Sequence, residues 1–91
     1  MIKRKDSPGF TAIFADSDHT PLQQITAGFD YATRLIIEQC DRDIEVNRAL
    51  GDQQAVIREQ IKRQTIIHAR GILNTCHVYA TRQEVYDEYT Q

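Results

Sequence analysis

Two long stretches of helical apolar periodicity meet at Gly51-Asp52, and this junction constrains the chain more than any other feature. Glycine suits the position just past a helix end because it enters the left-handed region without a Cβ clash, and Asp is a strong N-cap. A stop followed at once by a start divides the sequence into two arms that can fold back on each other. Residues meeting across such a fold have numbers adding to about 103.

The first arm has a clear beginning. Thr20 is an N-cap candidate, Pro21 fits the first helical position, and Gln23 completes a Thr-x-x-Gln capping box. Apolar residues then recur at Leu22, Ile25, Phe29, Ala32, Ile36, Cys40 and Ile44, which predicts an amphipathic helix over 21–50. The second arm predicts a helix over about 53–83. One of its stripes reads Ile57, Ile61, Thr65, His68, Ile72, Cys76 and Tyr79, and is assigned to the seam with the first arm. A second stripe, Ile66, Ala69, Leu73 and Ala80, is then surplus and is assigned to self-association. Gly71 and Asn74-Thr75 weaken the middle of this helix, so a kink is expected over 71–75. Val85, Tyr86 and Tyr89 extend it as a last turn or a frayed end.

Residues 1–19 read as an N-terminal arm, with 20–91 the helical region. Phe10-Thr11-Ala12-Ile13-Phe14-Ala15 is apolar enough to dock as a short strand or extended strap, on its own helices or on a second subunit. The expected fold is therefore all-α: an antiparallel two-helix hairpin with an extended arm, paired into a four-helix-bundle dimer. Charge patterning places Glu45 opposite Arg58 and Asp41 opposite Lys62 across the fold. A chain of 91 residues has a limited core, and association is a natural way to cover the remainder.

Composition removes several classes of function. The formal net charge is −2, whereas dedicated nucleic-acid-binding domains carry a basic excess. The longest strongly apolar run is Leu35-Ile36-Ile37, too short to span a membrane, and Lys3-Arg4-Lys5 runs into Pro8-Gly9 rather than an apolar leader segment. A cytoplasmic protein is expected. The fold-back puts Cys40 and Cys76 roughly 20 Å apart at the helical rise, so free thiols are expected rather than a disulfide.

Chemical motifs are sparse. Glu38/Asp41 and Glu84/Asp87 have the spacing by which helical hydrolases hold magnesium, but the register keeps the two pairs far apart within one chain. No Glu precedes a His by three residues as a di-iron bundle requires, and adjacent Cys76-His77 point about 100° apart on a helix. Gly9, Gly28, Gly51 and Gly71 are isolated, so there is no phosphate-binding glycine loop. No catalytic residues, metal or cofactor are expected. The function expected is non-catalytic, through protein–protein contacts as an adaptor, regulator or inhibitor that pairs with itself.

Arg63 and Arg70, one heptad apart, read as a shared outer face able to meet an anion or an acidic partner. This supplies a competing reading as a nucleic-acid-associated regulator. Another is a binder of a small anionic ligand at a subunit junction, using Arg70, His68, His77 and tyrosines. A magnesium-dependent hydrolase completed across subunits is the enzymatic alternative.

Overall fold

A computed structural model describes residues 7–82, and within them the chain is helical. Three helices follow in order: α1 over Ser7–Ala15, α2 over Pro21–Leu50 and α3 over Gln53–Thr81. Val85, Tyr86, Tyr89 and the Glu84/Asp87 pair lie outside the described residues, as do Lys3, Arg4 and Lys5. No helix among the described residues is long and apolar enough to cross a membrane.

Local chemistry sets the boundaries of α2. The Gln23 N–H donates to Thr20 Oγ1 at 3.2 Å and the Thr20 N–H donates to Gln23 Oε1 at 2.8 Å, the reciprocal pair of a capping box. At the other end Gly51 has φ +77°. Its N–H donates to Arg48 O at 3.1 Å and that of Asp52 to Asn47 O at 2.9 Å, the two bonds of a Schellman motif. Asp52 then opens α3, its Oδ1 accepting from the Ala55 N–H at 3.1 Å.

The chain divides into two compact units, Met1–Ala32 and Thr33–Gln91. In the first, residues 7–15 form a helix where a strand or extended strap was expected. The reason lies in glycines that let aromatic rings approach closely. A Cβ on Gly28 would sit 2.6 Å from Phe14 Cζ, and one on Gly9 would sit 2.5 Å from Tyr31 Oη. Phe10 stacks edge-on against Phe14, with ring centroids 5.1 Å apart. Gln24 Nε2 ties down the end of α1 by donating to Phe14 O and Asp16 O.

The second unit holds the later part of α2 and all of α3. Its buried residues on α2 are Thr33, Ile37, Cys40 and Ile44; on α3 they are Ala55, Val56, Ile67, Arg70 and Gly71. Polar contacts join these helices. Arg70 Nη1 donates to Thr33 Oγ1 at 2.6 Å, and Arg63 Nε lies 2.6 Å from Asp41 Oδ1. The cross-helix ion pairs expected from sequence are replaced. Asp41 takes Arg63 rather than Lys62, Glu45 is 3.5 Å from Arg48, and Lys62 is 3.9 Å from Glu59. Helix α3 runs without a break through the expected kink, and the Thr75 hydroxyl donates to Gly71 O at 2.9 Å within it.

Candidate functional site

The stripe assigned from sequence to the helix seam faces solvent instead. Ile57 is 52% exposed, Ile61 61%, Ile72 54% and Tyr79 72%. Thr65, His68 and Cys76, which complete the stripe, are exposed as well. The face that α3 turns toward α2 is marked by Val56, Arg63 and Arg70, seven residues apart, with Ile67 buried among them. Reading hydrophobicity alone selects the wrong side of α3, because two of its inward positions are arginines that find oxygen acceptors on α2.

This reverses the placement expected for both sets of candidate residues. Arg70 has no exposed surface, and Arg63 is engaged by Asp41, so the two guanidiniums do not form an outer cationic face. Ile66, Ala69 and Leu73, expected to be the spare apolar stripe, are already half-buried, and only Ala80 is exposed. The spare apolar surface of α3 is the other stripe.

That stripe is physically distinct from ordinary exposed apolar residues. Leu22, Ile25, Leu35, Val46 and Leu50 are exposed on α2 as well, but as one single residue and two neighbouring pairs rather than as one run along the helix. The α3 stripe continues over six turns at spacings of four, four, three, four, four and three residues, with no Asp, Glu, Lys or Arg in it. Midway along it, His68, Gly71, Ile72, Thr75 and Cys76 line an open hollow of about 280 Å³. Gly71 contributes no side chain there, which deepens the floor.

A second, larger hollow of about 430 Å³ is lined by Asp41, Ile44, Glu45, Arg48, Gln60, Arg63 and Gln64. Its two acids and two bases are committed to each other through Asp41–Arg63 and Glu45–Arg48. The lining therefore offers a phosphate no net positive charge. Among the described residues, no three His, Cys, Asp or Glu side chains are placed to hold a metal ion.

Cys40 and Cys76 are both free thiols, and their settings differ: Cys40 is buried and Cys76 exposed. Burial pushes the Cys40 thiol pKa up, and the nearby Glu59 carboxylate adds to the rise. Glu59 Oε1 is buried, with Lys62 Nζ 3.9 Å away. A raised thiol is a weak nucleophile at neutral pH, so Cys40 has the character of a core residue. His77 Nδ1 lies 3.1 Å from Thr81 Oγ1 within its own helix, and His68 stands in the outward stripe. His68 is exposed and Arg70 buried, so these two do not share a face of α3.

Comparison with known proteins gives no match to any family model, curated protein or solved structure.

Proposed function

We propose that this chain is a non-catalytic helical protein that acts through protein–protein contacts, as an adaptor, regulator or inhibitor, and that it pairs with a second copy of itself. The observation that carries the reading is the stripe on the solvent side of α3, free of Asp, Glu, Lys and Arg, with Ile57, Ile61, Ile72 and Tyr79 each more than half exposed. Contiguous exposed apolar surface of this kind marks an interaction site in a water-soluble protein.

In this reading α2 and α3 form an antiparallel hairpin. Support comes from the contacts Thr33–Arg70 and Asp41–Arg63, whose residue numbers add to 103 and 104, the register of a fold-back about Gly51-Asp52. Two hairpins bring four helices together and cover surface that a chain this small cannot bury alone. Mass measured by light scattering during size-exclusion chromatography, at two concentrations and two salt levels, tests the reading. A dimer whose mass is insensitive to salt is expected, because the pairing surface is apolar. A monomer throughout the micromolar range would refute it.

A further inference from the structure

Resting on that reading, we infer that the partner of the outer α3 face is the same face of a second copy, laid antiparallel across a two-fold axis at His68. A two-fold interface must be complementary to itself, residue i meeting j and j meeting i. The stripe has this property. Inverted about His68, Ile57 falls opposite Tyr79 of the second copy, Ile61 opposite its Cys76 and Thr65 opposite its Ile72. The match holds to within one residue along the whole stripe.

The hollow fits the same register. Four of its lining residues, His68, Gly71, Ile72 and Thr75, occupy positions i, i+3, i+4 and i+7, the four corners of the hole that receives a side chain in knobs-into-holes packing. The antiparallel register brings Thr65 of the second copy over this hole, and the dyad repeats the contact. Gly71 keeps the hole open, allowing the two α3 backbones to approach closely.

Charge is compatible with this direction. Arg58 and Lys62 flank the N-terminal half of the stripe, whereas residues 71–81 contain no Asp, Glu, Lys or Arg. Antiparallel pairing sets both against the neutral half of the other helix, where no like charge meets them. The area is of the right size: four large side chains more than half exposed, with three smaller ones, offer roughly 700 Å² per copy, so a pair would bury at most roughly 1,400 Å², an upper bound that falls within the range of stable interfaces. Because this face lies opposite the contacts with α2, the two copies of α2 and of α3 form a row, with the two copies of α3 in the middle.

Cysteine cross-linking tests the arrangement. His68→Cys in a Cys76→Ser background places two thiols at the dyad, whereas Ile57→Cys in the same background places them about 33 Å apart at the helical rise. Mild oxidation is expected to convert the first variant to a covalent dimer and leave the second monomeric on a non-reducing gel. Ile61→Cys with native Cys76 retained is expected to cross-link as well. Equal rates for the position-57 and position-68 variants would overturn the antiparallel register. No cross-link at 68 or between 61 and 76, in protein that light scattering shows to be dimeric, would overturn this face while leaving the dimer in place. A monomeric mass would remove both.

Discussion

Replacing Thr33 by Val tests whether the polar contact between the two long helices contributes to stability or is incidental. The substitution keeps the shape of a buried, β-branched residue and removes the oxygen that accepts the Arg70 guanidinium at 2.6 Å. Arg70 is fully buried, so water cannot replace that acceptor without opening the helix pair. A hydrogen bond to a charged group contributes about 1.5–3 kcal/mol, and the loss leaves a charged donor short of one acceptor. With a urea m-value of roughly 1 kcal/mol/M for a chain of this size, the midpoint of unfolding should fall by roughly 2 M. The assay is urea denaturation followed by circular dichroism at fixed protein concentration, since an associating protein has concentration-dependent stability. Arg70→Met provides the control. It removes the buried donor itself, so in that background, whatever its own stability, adding Thr33→Val should cost much less than in the parent. A Thr33→Val protein within about 0.5 kcal/mol of the parent, or an unchanged cost in the Arg70→Met background, would refute the reasoning.

Three further outcomes follow from local geometry. Gly28→Ala puts a Cβ 2.6 Å from the Phe14 ring, so hydrogen exchange over α1 should accelerate while α2 keeps its protection; unchanged exchange in α1 would contradict the close approach. Gly51→Ala meets no atom within 4 Å but is held at φ +77°, so it should cost about 1 kcal/mol from the backbone alone, and Gly51→Asn distinctly less, both read from urea midpoints. In a Cys76→Ser protein, Cys40 should react with a thiol reagent only as fast as the chain opens. Because its folded pKa is raised, the associated stability is fully present below the unfolded thiol pKa and is lost as pH rises through the folded value, so urea midpoints should fall in alkaline buffer and do so less in Cys40→Ala.

The helix ends were readable because each depends on a few adjacent residues. Thr20 with Gln23, and Gly51 with Asp52, adopt their geometry whatever the rest of the chain does. The helicity of residues 7–15 was not readable in this way. A nine-residue helix has no stability of its own, and α1 depends on Phe10 and Phe14 finding Gly28 and Tyr31, up to 21 residues away in sequence. The orientation of α3 was obscured for a different reason. Its inward face carries Arg63 and Arg70, which hydrophobic periodicity places outside, while Ile57, Ile61 and Ile72 point to solvent. A signal was present: Arg63 and Arg70 stand seven residues apart, and the residues they meet on α2, Asp41 and Thr33, are polar. Small or polar residues facing a long basic side chain are what a seam needs in order to admit an arginine.

The most direct test of the account is the solution mass of an Ile61→Asp/Ile72→Asp variant beside the parent chain. Both positions are exposed and lie away from the contacts between α2 and α3, so helicity by circular dichroism should be unchanged. The parent is expected to have the mass of two chains at micromolar concentration, and the variant the mass of one. A monomeric parent, or a variant that stays dimeric with its helicity intact, would contradict the claim that the outer face of α3 is where this protein makes its contacts.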